Sequence, residues 1–154
     1  MIEIERKFLV KDLEVIKNPK GNRITQGYLS TDPERNVRVR IKGTQAFLTV
    51  KGISNDSGLS RYEWEKEIAI VEAEELLELA LPKIIDKTRY EVPQDQLIWE
   101  IDVFHGHNDG LIIAEIELPS EDTAFTKPSW LGHEVTGDSR YYNSYLSENP
   151  FKEW

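Results

Sequence analysis

The sequence predicts a mainly β fold of the α+β class, with eight antiparallel strands forming a barrel or a sandwich and a few helices outside. Two observations predict the strands and their weight. Eight segments alternate apolar and polar residues with the period of two that marks a strand, and only three short segments carry helical signals. A third observation favours the closed barrel. The charges sort by strand, so that whole strands carry one sign. Closing the sheet lets strands of opposite sign face each other across a bore.

The elements follow in order. "IEIERKFLV", residues 2–10, is the first strand and "GNRITQGYLS", residues 21–30, the second. Residues 36–43 and 45–52 form a hairpin across the tight Lys42-Gly43-Thr44 turn. Residues 60–70 follow a loop rich in Ser, Asn, Asp and Gly. Residues 85–92 and 97–104 form a second hairpin around Pro93 to Gln96, and residues 111–118 are the eighth strand. Residues 71–81 have Leu and Ala at helical spacing, acids at the start where the helix dipole favours them, and Pro82 as a stop. Residues 120–125 read as a short capped helix and residues 138–148 as a third. The helices at 71–81 and 138–148 are expected to cover part of the barrel's outer face, with Tyr62 and Trp64 beneath them.

At 154 residues the chain fits one domain, residues 1–154, with a sizeable core. Hydrophobic residues at 39% and charged residues at 31% place it among soluble globular chains. No apolar run approaches the ~18 residues of a membrane span, and no basic stretch precedes an apolar block as in a secretory signal. The absence of cysteine excludes disulfides, thiolate metal sites and thiol nucleophiles. These features fit the cytoplasm. A net charge of -9 argues against a nucleic-acid coat or an anionic membrane as partner. It leaves room for an anionic small molecule, because local charge decides such binding and a metal held by carboxylates changes the local sign.

Glu3 and Glu5 share a strand face with Lys7. Arg38, Arg40 and Lys42 share the next charged face, and Lys51 ends its neighbour. Glu63, Glu65 and Glu67 follow, then Lys87 with Arg89, Glu100 with Asp102, and Glu115 with Glu117. One solvated sheet face accommodates any single pair of these. Like charges two apart repel, however, and a merely soluble surface gains nothing from the grouping. Facing strands of opposite sign offset the repulsion, as do metal ions on the acids and phosphates on the bases. Carboxylates suit hard cations such as Mg²⁺ or Mn²⁺. Arginine forks and lysine point charges suit phosphate oxygens. The pattern points to phosphoryl-transfer chemistry on a highly charged phosphate compound, with water as nucleophile.

The segment Glu3 to Lys7, "EIERK", resembles the ExExK signature of the CYTH superfamily, the triphosphate tunnel metalloenzymes. "VRVR", "LTVKG", "GLSRYEWE", "DKTRY", "WEIDVF", "LIIAEIELPSED" and "WLGHEVTGDSRYYNSYLS" resemble that family's later segments in order, from Ile2 to about Leu146. The resemblance implies an eight-stranded tunnel with a charged lumen that hydrolyses a triphosphate with Mg²⁺ or Mn²⁺. It implies metal ligation by Glu3, Glu5, Glu115 and Glu117. Substrate phosphates would be held by Lys7, Arg38, Arg40, Lys51, Lys87, Arg89 and Arg140, the last reaching over one mouth. Glu63, Glu65 and Asp102 match lumen acids. The catalytic candidates are Glu3, Glu5, Lys7, Glu63 and Lys87. The compact length resembles the short bacterial inorganic tripolyphosphatases, acting as a monomer or homodimer. Adenylate cyclase, thiamine or nucleoside triphosphatase, and a non-catalytic polyphosphate-binding module are the alternatives.

Outside this set, Arg61 reads equally as a phosphate ligand or as surface, and Lys66 as snorkelling at the outer cover. His105 and His107, in a Gly/Asn/Asp turn, read as solvent-exposed rather than as metal ligands. Trp130 and Tyr141, Tyr142 and Tyr145 read as packing.

Overall fold

Alternation is obeyed almost to the residue. The computed structural model describes residues 1–154, apart from the side chains of Leu81 and Pro82. Nine strands form: β1 Ile2–Val10, β2 Gly21–Ser30, β3 Asn36–Lys42, β4 Gln45–Ser54, β5 Ser60–Ile68, β6 Leu81–Gln94, β7 Leu97–Phe104, β8 Ile112–Glu117 and β9 Leu131–Glu134. The order β5-β4-β3-β2-β6-β7-β8-β1 is antiparallel throughout, and a β5–β1 pairing closes it into an eight-stranded barrel. The two predicted hairpins form, with Gly43 at φ +60° in the first turn, where a residue without Cβ avoids strain.

Closure is short. Only Ile2, Ile4 and Glu3 of β1 pair with β5, opposite Tyr62, Ser60 and Arg61. Further along, the same edge of β1 pairs instead with β9 through Phe8 and Val10. The barrel wall therefore parts between β5 and β9, and residues 55–59 bridge the gap. Gly58 packs so closely on Gly137 that a Cβ at Gly58 would lie 2.7 Å from the Gly137 Cα.

The apolar sides of the strands face outward, as the charge grouping requires, and two covers bury much of them, while a third apolar cluster lies on the inward side. The largest cluster contains Phe8, Trp99, Ile101, Ala114, Ile116, Leu118 and Leu131, with Val15, Ile16, Phe125 and Trp130 packed against it. Trp99 meets Phe8, Phe125 and Trp130 edge to face, with centroids 5.7, 5.6 and 5.4 Å away, and its Nε1 donates to Gln94. The helix α1, Ile70–Leu77, covers Val39, Ala46, Ile41 and Leu48. The third cluster plugs one end of the bore. Ile85, Phe104, Leu111 and Ile113 meet Leu146 of helix α2, Asn143–Glu148, with Leu9, Tyr141 and Phe151 around them.

Several expectations are corrected. Tyr62 and Trp64 lie under no cover and stay 48% and 42% exposed, because α1 packs over β3 and β4 and α2 packs on the bore's end. Residues 120–125 form a turn rather than a helix, since the Glu121 carboxylate is drawn away to accept from Asn55, Ser57 and Ser60 across the barrel's gap. The segment 138–148 is broken at Tyr142, whose φ -75° and ψ 138° are extended, into a 3-10 turn Ser139–Tyr141 and α2. The helix at 71–81 ends early, and the chain re-enters the sheet at Leu81. β9 lacks a sequence signal, being too short to show alternation. His105 is half-buried, its Nε2 2.7 Å from the Thr88 hydroxyl.

Candidate functional site

The in-phase ionic residues of seven strands meet inside the barrel. Register sets the pairs: Glu5 stands opposite Glu117, Lys7 opposite Glu115, Glu100 opposite Glu115, Arg89 opposite Asp102, and Lys51 opposite Glu63. Like charges directly opposite are unfavourable in an ordinary sheet, so Glu5/Glu117 and Glu100/Glu115 mark a place built for a counter-ion.

The cations hold these acids in the free protein. On the β6–β7 wall, Arg89 forms a bidentate fork on Asp102 at 2.7 and 2.9 Å and reaches Glu100 at 3.1 Å. Lys87 contacts the same Asp102 at 2.8 Å and donates to Asn143 Oδ1 at 2.9 Å. On the facing wall, Lys51 bridges Glu3 at 2.8 Å and Glu63 at 3.4 Å. Arg40 and Arg38 lie 3.4 and 3.8 Å from one Glu65 oxygen, which also accepts from Thr49 at 2.6 Å. Lys7 is 3.5 Å from Glu115, donates to the Tyr141 carbonyl at 3.3 Å and lies 5.1 Å from the Tyr142 ring centroid.

Three buried polar atoms are left without partners among the described residues: Arg38 Nε, Arg40 Nε and Gln26 Oε1. An orphaned buried guanidinium N–H costs free energy unless a ligand satisfies it. Two of them on adjacent in-phase positions of β3 point to an anion as that ligand. The free space at the centre of the bore is 70 Å³, lined among others by Glu5, Lys7, Arg38, Lys51, Lys87, Arg89 and Glu115.

Titration follows from this crowding. Desolvation, with Glu115 and Glu3 adding, pushes Glu5 up to about 8. Desolvation raises Glu3 and Glu117 as well. Glu115 goes the other way: desolvation pushes it up, but Lys7, Arg89 and Lys87 outweigh this and hold it well below the ordinary carboxylate range. Near neutral pH, Glu5 thus holds a proton while Glu115 is ionised. Desolvation, against the pull of Asp102, pushes Lys87 down to about 8, and desolvation with Arg38 pushes Arg40 down to about 10.

A stability profile follows. Glu3, Glu5 and Glu117 have folded pKa values above 4.5, so the folded state binds more protons than the unfolded chain between about pH 4.5 and 8. The stability they contribute is present at the low end and lost as pH rises through the window. Above about pH 8 Lys87 reverses the slope, because there the unfolded chain binds the extra proton. The metal-free protein should therefore lose roughly 5–10 °C in Tm from pH 5 to a minimum near pH 8. Millimolar divalent cation should flatten the descent. Calorimetry across pH, with and without the ion, checks both.

The donor set Glu3, Glu5, Glu115 and Glu117 is all oxygen and carries excess negative charge, which fits a hard divalent cation. No three of the described Asp, Glu or His side chains converge tightly enough to enclose an ion alone. The protein would supply part of the shell and leave the rest to water and phosphate oxygens, as Mg²⁺ prefers.

The expected residues do not all gather. Glu5, Lys7, Arg38, Lys51, Lys87, Arg89 and Glu115 line the bore, Glu3 and Glu63 join it through Lys51 and Arg40 through Glu65, and Glu117 is exposed. Arg140 stands outside. It is bidentate with Asp138 at 3.2 and 2.8 Å and stacks near the Tyr141 and Trp154 rings. Arg61 instead lines the central space, its Nε donating to the Gly52 carbonyl. Tyr28, Asn36 and Asn143 line it too. Tyr28 stands in phase with Gln26 on β2 and was open to the same alternation argument. Asn143 sits on the plug helix and left no pattern to read.

The CYTH domain profile matches residues 1–144. The chain belongs to the CYTH family. Among CYTH relatives, an inorganic triphosphatase of Acetivibrio thermocellus is 48% identical over 99% of this chain and 97% of its own length. One of Nitrosomonas europaea is 42% identical over 96% of this chain and 97% of its own. The crystal structure of the inorganic triphosphatase NE1496 aligns with a TM-score of 0.67 at 37% identity, covering 94% of this chain and 96% of that one. In this CYTH chain Glu3 lies on the short stretch of β1 that closes the barrel, and the Glu5 N–H donates to the Leu59 carbonyl just beyond it, so both signature acids stand at the seam.

Proposed function

We propose that this CYTH protein hydrolyses inorganic tripolyphosphate to pyrophosphate and phosphate, with Mg²⁺ or Mn²⁺ held by Glu3, Glu5, Glu115 and Glu117. The observation that carries this reading is the pair of unsatisfied guanidinium N–H groups of Arg38 and Arg40: Arg38 lines the bore with Lys51, Lys87, Arg89 and the acids, and Arg40 stands in phase beside it on β3. A run of phosphates gives each cation oxygens to replace the carboxylate it now holds. Arg38, Arg40 and Arg89 would grip oxygens with planar forks, and Lys7, Lys51 and Lys87 would neutralise charge, including that developing on the departing pyrophosphate. A divalent ion on the carboxylates would supply Lewis-acid polarisation of the phosphate oxygens. Water attacks the terminal phosphorus, and the anhydride bond to the pyrophosphate oxygen breaks. As cations and substrate arrive, Glu5 would give up its proton and become free to ligate beside the already ionised Glu115.

Phosphate release from tripolyphosphate, ATP, thiamine triphosphate and pyrophosphate, each with Mg²⁺, Mn²⁺ or Ca²⁺, tests the reading, with cyclic AMP followed in the ATP reactions. The expected result is the largest kcat/KM on tripolyphosphate with Mg²⁺ or Mn²⁺, abolished by a chelator. No release from any substrate would leave a polyphosphate-binding module, and cyclic AMP would make the protein a cyclase.

A further inference from the structure

Gln26 on β2 is fully buried and takes no part in the ion pairs of the bore. It stands in phase with Tyr28, which lines the bore, and directly opposite Arg40 of β3. Its amide has one permitted orientation. Lys87 has only hydrogens to offer, so the Asn143 atom 2.9 Å from its Nζ must be the oxygen, Oδ1. That same oxygen lies 2.7 Å from the Gln26 amide, so Gln26 must donate there through Nε2. Its Oε1 is thereby turned away and meets no donor among the described residues. The chain Lys87–Asn143–Gln26 thus fixes a bare carbonyl oxygen beside the cations that would hold phosphate.

An unsatisfied buried acceptor is a standing cost. The orphan on the facing residue, Arg40 Nε, is a donor, yet the two do not meet. A phosphate oxygen would satisfy the arginine. It could not satisfy the glutamine, because an ionised phosphate offers only acceptors. A metal ion fits no better. β2 is the fourth strand from β1 both ways round the barrel, through β5, β4 and β3 or through β8, β7 and β6. Gln26 therefore stands across the barrel from Glu3 and Glu5, with Arg40 opposite it and Lys87 reached through Asn143. An uncharged guest that carries a hydrogen fits, and water is the one the reaction supplies.

We infer that Gln26 orients the water that attacks the terminal phosphate, and that Asn143 is the positioning residue that holds Gln26 for this task. The inference rests on the hydrolysis proposed above. Oε1 accepts one hydrogen of the water and so turns a lone pair of the water oxygen toward phosphorus. An amide is too weak a base to take that hydrogen, and its contribution is orientation. As the water oxygen bonds to the terminal phosphorus, the bridging P–O bond breaks and its electron pair leaves with pyrophosphate. Both hydrogens stay on the released phosphate as H₂PO₄⁻ and then exchange with solvent.

Gln26→Met keeps the length of the side chain and removes the amide. It should lower kcat on tripolyphosphate roughly 10- to 100-fold and leave KM within about twofold. Tripolyphosphate affinity, read by calorimetry in Ca²⁺, should stay at the parent's value. The metal-free variant should melt no lower than the parent, because the orphan acceptor goes with the amide. A slower enzyme that is no less stable and binds as well is not the product of lost packing. Asn143→Leu lets the Gln26 amide turn over and should lower kcat about tenfold, whereas Asn143→Asp still accepts from both neighbours and should keep kcat within about threefold. Lys87 keeps Asp102 at 2.8 Å in all of them. The double variant Gln26→Met/Asn143→Leu should be no slower than Gln26→Met, since Asn143 acts through Gln26; multiplied losses would remove Asn143 from the inference. Unchanged kcat in Gln26→Met would overturn the whole. So would a fall in Tm that accompanies changes in both kcat and KM. Weaker affinity with kcat intact would assign Oε1 to a protonated phosphate and overturn it too. Should Gln26→Met not fold, equal kcat in the two Asn143 variants is the overturning result. A parent that releases no phosphate from tripolyphosphate defeats the hydrolase reading and the inference together, while an active parent with an equally active Gln26→Met defeats the inference alone.

Discussion

Glu5→Gln cuts tripolyphosphate turnover at least ~100-fold, about 2.7 kcal/mol of barrier, and leaves the barrel folded. The variant is informative because its two effects separate. Glu5 already carries a proton near neutral pH, its pKa pushed up to about 8 by desolvation and by Glu115 and Glu3. A neutral amide of the same shape reproduces that state, so the metal-free variant should melt no lower than the parent at pH 8. A divalent ion requires the carboxylate. The ion-induced rise in Tm should therefore disappear together with turnover, as should the proton release seen when metal is titrated into buffers of different ionisation enthalpy. Full activity in Glu5→Gln would remove Glu5 from the metal site. Loss of activity with metal stabilisation intact would move its role from binding to catalysis.

Asp102→Ala should produce the largest loss of stability, about 3–5 kcal/mol, or roughly 10 °C in Tm. Asp102 is 1% exposed and serves two buried cations: the Arg89 fork and Lys87. Removing one partner of a buried ionic set costs more than the set contributes, because the remaining charges stay desolvated. Arg89 keeps only Glu100 at 3.1 Å, and Lys87 keeps Asn143. Lys87 should respond by deprotonating at still lower pH, so the destabilisation should shrink as pH rises from 7 to 9. Tripolyphosphate offers replacement oxygens and should restore more Tm to Asp102→Ala than to the parent. Chemical denaturation at two pH values, with and without the anion, checks this. A loss under 1 kcal/mol, independent of pH, would show that water already reaches these cations.

The two variants probe the part of the site most legible in the chain. Alternation of Glu3, Glu5 and Lys7, of Arg38 and Arg40, of Lys87 and Arg89, and of Glu115 with its neighbours assigns them to one sheet face. A sheet closed into a barrel has only two faces. Sign grouping said which face turns inward, since an exterior would gain nothing from it. Arg140 shows the limit of this reasoning. It lies in the matching segment, but its guanidinium is satisfied by Asp138 two residues earlier, a local contact that alternation does not report. Arg61 looked equally like surface, and its place on the bore depends on how β5 meets β1.

The sequence by itself determined eight of the nine strands, their hairpins and the sign and order of the in-phase charges, because period-two patterning and turn chemistry act between residues close in the chain. Only the tertiary structure decided that α2 plugs the bore, that Trp99 heads a core outside the barrel, and that the wall parts beside Arg61. Those features come from contacts between segments far apart in sequence. Such contacts are selected by shape and burial among whole elements, and no local pattern encodes them.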